Sequence, residues 1–223
     1  MKIYRHFPEK HLPCILTIGN YDGIHLGHQA LINKLILMSK KQNLESAVMT
    51  FEPHPREFFS LKDAPQRIIS LREKLEFFDN KKINRVYVIK FNKDFSLLNG
   101  QAFINKLQNQ INAKTILVGK DFRYGKNRDS GVEEIKQSGV KVIALDEVKY
   151  LNQRVSSTIV RNALTDGDFN FTKELLGRNY CISGRVVHGE KIGRKLGFPT
   201  ANIHMHHKQP PLSGVFAVKL DNM

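Results

Sequence analysis

Two histidines three residues apart, His25 and His28, stand in the stretch "GNYDGIHLGH" among glycines at 19, 23 and 27, between an apolar run and an amphipathic segment. Glycine at 23 and 27 lets backbone come close to a ligand, and a helix beginning near Gly27 turns free N–H groups and a positive dipole end toward an anion. A spacing of three puts both imidazoles on one side of the first turn. There they can donate to phosphate oxygens and stabilise charge that builds up during group transfer. The spacing is not the GxxxxGK[ST] of a P-loop or the GxGxxG of a dinucleotide turn. A zinc site would need a third and a fourth ligand, and no nearby Cys or His cluster supplies them. A pair of surface histidines on a helix is the plainer alternative, but the glycines and the upstream apolar run favour a nucleotide phosphate.

Such a loop needs a scaffold, and the chain alternates strand and helix patterns up to about residue 150. The runs "CILTIG" (14–19), "SAVMTF" (46–51), "RVYVIKF" (85–91), "TILVG" (115–119) and "KVIALDEV" (141–148) are apolar throughout, as strands covered on both faces are. Between them, Leu31, Leu35 and Met38, then Leu71, Leu75 and Phe78, then Phe103, Leu107 and Ile111 repeat at helical spacing, and Ser70 with Glu73 forms a capping box. Strand–helix–strand repetition predicts an α/β, doubly wound parallel sheet, whose ligand lies beyond the carboxyl ends of the strands, where "GNYDGIHLGH" follows the first strand. Residues 156–177 read as two short helices broken at Asp166-Gly167-Asp168. Beyond Gly177, "YCISGRVV" and "GVFAVKL" read as strands of an all-β unit. The expected division is residues 1–178 and 179–223.

The 223 residues suffice for one full core and a small second unit, and 41% hydrophobic with 25% charged residues is ordinary for a globular protein. No apolar run reaches the roughly 20 residues of a membrane span, and the N-terminus lacks a signal-peptide core, so a cytoplasmic protein with no membrane partner is expected. Cys14 and Cys181 sit in separate apolar runs and read as two buried thiols. A net charge of +14 suits polyanions, nucleic acid and nucleotide phosphates alike. The basic residues are scattered, without interleaved aromatic platforms, which weakens a single-strand nucleic-acid reading.

The loop resembles the H-x-G-H signature of the nucleotidyltransferase superfamily, in the version found in bacterial bifunctional riboflavin kinase/FMN adenylyltransferases (FAD synthetases). "TFEPHPREFF" (50–59), "LREKLEFF" (71–78), "VGKDFRYGKNRDSG" (118–131), "RVSSTIVRNAL" (154–164), "LLGRNYCISGRVVHGEKIGRK" (175–195) and "LGFPTANI" (196–203) are similar to that family's blocks, in its order. The resemblance implies a Rossmann-like nucleotidyltransferase domain over 1–178, then the first part of a β-barrel riboflavin kinase module over 179–223. It implies that His25 and His28 bind the ATP phosphates and stabilise the transition state, with Gly19, Asn20, Asp22, Gly23 and Gly27 of the same loop at the nucleotide. Ser157 and Thr158 would open a helix that holds phosphate, Arg154 and Arg161 would add charge, and Asp121 would lie at the nucleotide site between glycines 119 and 125. Read without the family, "VSSTIVR" is equally a plain N-cap with a surface arginine, and "EPHP" (52–55) a turn stiffened by proline. By resemblance that turn lies on the flavin side of the cleft.

The implied reaction is ATP + FMN giving FAD + pyrophosphate with Mg²⁺, on small-molecule substrates that include riboflavin for the kinase half, and with no nucleic-acid partner. In the tail, "GRKLGFPTAN" matches the kinase module, where Thr200 and Asn202 would hold ATP phosphates and the metal. On its own it is a loop loosened by Gly193 and Gly197 with two oxygen ligands on an extended segment, or simply a turn. Some 45 residues with one or two unpaired strands cannot close a barrel, so the 223-residue chain is expected to adenylylate FMN but not to phosphorylate riboflavin unaided. "HMHH" (204, 206 and 207) reads as a solvated loop. Two rivals stay open: a nucleotidyltransferase for another phosphate acceptor, such as phosphopantetheine or nicotinamide mononucleotide, and a basic nucleic-acid-binding protein without catalysis.

Overall fold

Six parallel strands form the centre of the protein, in the order β1-β4-β3-β2-β5-β6, as seen in a computed structural model that describes residues 1–190, 192–195, 197–198, 200–205 and 210–220. They are β1 (Lys2–Tyr4), β2 (Cys14–Ile18), β3 (Glu45–Glu52), β4 (Arg85–Lys90), β5 (Ala113–Gly119) and β6 (Lys141–Leu145). The expected α/β doubly wound sheet is therefore present. β1 is an edge strand that the apolar pattern did not announce, and β6 stops at Leu145, short of the expected 148.

Every residue of β2 is buried because helices cover both faces. Ile15 points with Val48, Val86 and Leu117 into one layer, and Leu16 and Ile18 point with Met49, Ile89 and Val118 into the other. The first layer is closed by α1 (Leu26–Gln42) and, further on, α3 (Leu71–Asn80), through Ile32, Leu35 and Phe78. The second is closed by α5 (Gly100–Asn109) and α6 (Val132–Gln137), through Phe103, Leu107 and Ile135. The α3 start follows from its sequence: Ser70 Oγ accepts from Glu73 N–H at 3.2 Å while Ser70 N–H donates to Glu73 Oε2 at 2.6 Å. Such a cap contributes about 1 kcal/mol. Ile111 lies beyond the end of α5, packed in the second layer all the same.

Two short helices join these, α2 (Pro55–Phe59) and α4 (Lys93–Ser96). "EPHP" is thus more than a stiff turn. His54 caps α2, Pro55 occupies its first position, and Glu57 reaches back to His54 N–H at 3.2 Å. Proline at the first helical position followed by glutamate is a helix-start pattern that marks this element in the sequence. A small hairpin, β7 (Lys149–Tyr150) with β8 (Gln153–Arg154), leads into α7 (Ser157–Thr165) and α8 (Phe169–Leu176). These last two are the pair expected around Asp166-Gly167-Asp168, and they pack Val160, Leu164, Leu175 and Leu176 onto the first layer.

Beyond Gly177 the described residues are mostly exposed. β9 (Arg185–Val187) pairs antiparallel with β10 (Asn202–His204), and α9 (Ile192–Lys195) lies between them. The expected strand over "GVFAVKL" is not formed. Val215 and Val218 stand in solvent, because a β-type pattern makes a strand only where another strand or a core receives it. Cys14 is buried, but Cys181 is exposed, which corrects the expectation of two buried thiols. Residues 179–183 run along the surface, where Ser183 N–H is held by Glu73 Oε1 at 3.0 Å. His206, His207, Asp221 and Asn222 lie outside the described residues. No described helix is long and apolar enough to cross a membrane.

Candidate active site

The strand order reverses between β2, which leads on one side to β3, and its other neighbour β5. The crevice beyond the carboxyl ends of two such strands is where doubly wound sheets bind ligands. A cavity of about 690 Å³ opens there, within the usual range for small-molecule sites. One end is polar, walled by the loop after β2, the loop after β5 and the start of α7. The other end is aromatic, walled by Phe51, Phe59, Phe91, Phe95 and Tyr124.

His25 is the N-cap of α1. Its backbone is extended, and its Nδ1 accepts a weak bond from His28 N–H at 3.4 Å. With Nδ1 accepting, the proton of the neutral ring sits on Nε2 as a donor. The two imidazoles stack at 3.8 Å with 20° between their planes, and the Tyr21 ring lies 5.1 Å from His28. Burial pushes His25 down to about 4, Asp22 opposes this, and the cations of Arg154, Arg161 and Arg178 add to it. Burial lowers His28 well below the usual range as well, helped by His25 and Lys74. Both rings are therefore neutral at pH 7. His28 lines the cavity, while its Nδ1 is buried behind the wall without a hydrogen-bond partner.

The loop that aims these rings is tightly built. Gly23 has φ +83, and a Cβ there would meet Ile68 Cδ1 at 3.0 Å; a Cβ at Gly27 would meet the His25 ring at 3.1 Å. Gly23 is favoured by its backbone angle, and a side chain at Gly27 would press on the imidazole packed against it. Asp22 is buried, its Oδ1 accepting from Ile68 N–H at 3.0 Å and its Oδ2 from Arg161 Nη2 at 2.6 Å. Arg161 Nε also donates to the Gln66 carbonyl at 2.7 Å.

Of the residues singled out in the sequence, Gly19, Asn20, His25, Gly27, His28, Asp121, Arg154 and Ser157 line the cavity together. Asp22, Gly23 and Arg161 stand behind the wall, where the Asp22–Arg161 pair ties the loop to α7 and to residues 66–69. Thr158 is exposed on α7, and the side chain that caps this helix is Ser156, which accepts from Ile159 N–H at 3.4 Å. Ser157 Oγ donates to the Asp22 carbonyl at 2.8 Å, joining the two phosphate-type loops. Arg154 bridges Asp121 and Glu147, the latter at 2.8 Å. Thr200 and Asn202 lie in the exposed tail, away from the cavity.

The aromatic end escaped the sequence reading, because its residues are spread from 51 to 124 and share no local pattern. Parallel pairing is the signal that gathers them: Phe51 faces Ile89 in register, and Phe91 N–H donates to the Glu52 carbonyl at 3.0 Å, so both phenylalanines leave the sheet at the same end. No group of three or more His, Cys, Asp or Glu gathers among the described residues.

A family model described as FAD synthetase matches residues 7–159, and one described as riboflavin kinase matches residues 176–222. The chain is 42% identical over 211 residues to the bifunctional riboflavin kinase/FMN adenylyltransferase of Buchnera aphidicola subsp. Schizaphis graminum (strain Sg), an alignment that covers 92% of this chain and 68% of that one. It is 40% identical over 212 residues to the protein of the same name from Haemophilus influenzae, covering 93% and 69%. A solved structure from Streptococcus pneumoniae described as a macrolide-efflux protein superposes with a TM-score of 0.77 at 27% identity, over 96% of this chain and 73% of that one. With 153 residues of FAD synthetase match laid over the sheet and the histidine loop, the chain belongs to the bifunctional riboflavin kinase/FMN adenylyltransferase family.

Proposed function

We propose that this chain makes FAD by transferring AMP from ATP to FMN. The observation that carries the reading is the two-ended cavity at the strand-order reversal, with neutral histidines and helix N-termini at one end and a cluster of aromatic rings at the other. The polar end takes the triphosphate of the metal–ATP substrate, and the aromatic end takes the isoalloxazine by stacking. The FMN phosphate oxygen attacks the α-phosphorus in line. A new P–O bond forms as the bond from the α-phosphorus to the bridging oxygen breaks, and pyrophosphate leaves. The attacking oxygen is already anionic, so no protein nucleophile or base is needed.

The chain's own residues align and neutralise. His25 donates from Nε2 to a phosphate oxygen. His28 supplies a second imidazole stacked on the first, and the free N–H groups at the start of α7 face the same cavity. Arg154 brings a cation to the wall. Arg161 acts from behind through Asp22, fixing the loop that carries His25. Thr200 and Asn202 play no part in this reaction, and the exposed β9–β10 pair gives them no enclosed site among the described residues. We propose the cytoplasm as the place of this reaction, where free thiols such as Cys14 and Cys181 persist.

The test is FAD formation and pyrophosphate release from FMN and MgATP, beside parallel reactions with phosphopantetheine, nicotinamide mononucleotide or riboflavin in place of FMN. FAD from FMN alone, with no FMN formed from riboflavin, is the expected outcome. Pyrophosphate release with another acceptor but not with FMN would replace the reading with the wider nucleotidyltransferase one. Salt-dependent oligonucleotide binding without any FAD would replace it with the non-catalytic one.

A further inference from the structure

The residue that joins the two halves of the chain also holds the catalytic loop. Arg178 follows Gly177, the left-handed C-cap of α8. Its Nη2 donates to the Gly23 carbonyl at 2.8 Å, and its Nη1 to the carbonyls of Ile24 at 3.1 Å and Leu176 at 3.2 Å. Gln29, on the first turn of α1, answers from the other side: its Nε2 donates to the same Ile24 carbonyl at 2.9 Å and the same Leu176 carbonyl at 2.7 Å. Gly177 makes room for this meeting, since a Cβ there would lie 2.9 Å from Leu26 Cδ2. The carbonyls so held belong to the part of the loop with left-handed backbone, φ +83 at Gly23 and φ +44 at Ile24. A β-branched residue at positive φ is costly and persists only where its surroundings over-determine it. Ile24 is directly followed by His25.

We infer that Arg178 is a positioning residue for FAD formation: its fork fixes the Gly23–Ile24 carbonyls and thereby aims the His25 imidazole at the nucleotide phosphates. This rests on the FAD-forming reading above. A lysine cannot replace the fork, because its single ammonium does not span two carbonyls with fixed planar geometry. The guanidinium also keeps a cation beside the loop, bonded here only to neutral carbonyl oxygens. The linker to the tail is therefore part of the catalytic support and not a spacer.

The experiment compares wild type, Arg178→Ala and Arg178→Lys in the full chain, with kcat and KM for FAD formation, a thermal melt, and the ring-proton NMR resonances of His25, with His11, at the amino ends of the strands, as reference. Arg178→Ala is expected to lower kcat by about 30- to 100-fold, in line with the cost of a small misplacement of catalytic groups, and to change KM for FMN by less than threefold. Arg178→Lys falls between, and millimolar methylguanidinium returns part of the lost kcat to Arg178→Ala only. The His25 resonance moves in both variants, and that of His11 stays. An unmoved His25 resonance, or kcat within twofold of wild type in both variants, overturns the inference. If Arg178→Ala does not fold, Arg178→Lys decides. If that also fails to fold, the contact serves global stability and the inference falls. A wild type that forms no FAD removes the function reading instead, and the His25 resonance then decides alone whether Arg178 sets the loop.

Discussion

The chain carries two glycine-loosened loops with phosphate-type chemistry, "GNYDGIHLGH" and "GRKLGFPTAN", in opposite surroundings. The first leaves a strand buried at every residue and enters a helix capped by one of its own histidines. The second joins β9 to β10, two three-residue strands exposed at every residue. Both contain residues that can bind phosphate; the described residues of the second are mostly exposed, whereas the first is held in a buried frame. Its geometry comes from layers behind it: Asp22 on Ile68 and Arg161, Ser157 on the Asp22 carbonyl, Arg178 and Gln29 on Ile24. Motif residues supply chemistry, and buried polar support supplies aim.

The largest effect should come from the motif itself. His28→Ala removes a cavity-wall imidazole and the ring stacked on His25, and is expected to lower kcat for FAD formation about 100- to 1000-fold, as loss of one preorganised donor does. Thr200→Ala, in the other loop, should leave it within twofold. Comparable losses in the two variants, read in the same FAD assay, would erase the difference drawn between the loops.

Acid stability separates the regions next. Burial lowers both His25 and His54 to about 4 in the fold, and His28 shifts the same way. Between about pH 6.5 and 4 the unfolded chain therefore binds more protons than the folded one, and stability is lost as pH falls through that window. From pH 7 to 5 the loss is about 2 kcal/mol for each of these two histidines, enough to lower Tm by on the order of 10 °C. Melts recorded at both pH values check this, and a Tm unchanged at pH 5 would mean that His25 and His54 are far more open to water than their packing shows.

Much of this was legible because it is local or periodic. Apolar runs announced five of the six strands, helical spacing the main helices, and Ser70 with Glu73 the start of α3. The histidine loop was legible because its residues are contiguous. Three kinds of feature were not. The aromatic end of the cavity is assembled from strand ends far apart in sequence, and only pairing register brings Phe51 and Phe91 together. Arg161 looked like a phosphate ligand, but its partner Asp22 lies 139 positions away in the chain, and proximity of that kind leaves no trace in spacing. "GVFAVKL" has the composition of a strand, but composition cannot supply the neighbour a strand needs.

The smallest effect tests how widely the support of the first loop is shared. The ring of Tyr21 is fully buried, 5.1 Å from His28 and edge-on to Phe78 at 5.5 Å. Its hydroxyl shares a 2.8 Å bond with Thr17 Oγ1, and that hydroxyl in turn donates to the Leu117 carbonyl at 2.8 Å. With Thr17 donating to the carbonyl, the Tyr21 O–H is the donor between the two side chains. Tyr21→Phe keeps every ring contact and the Thr17–Leu117 bond, and removes one neutral donor from one buried acceptor. The expected cost is about 1 kcal/mol, or roughly 2–4 °C in Tm, with kcat within twofold of wild type. A kcat loss near that of His28→Ala would show that this single hydroxyl, and not the set of bonds around Asp22, Ser157 and Ile24, sets the histidine geometry.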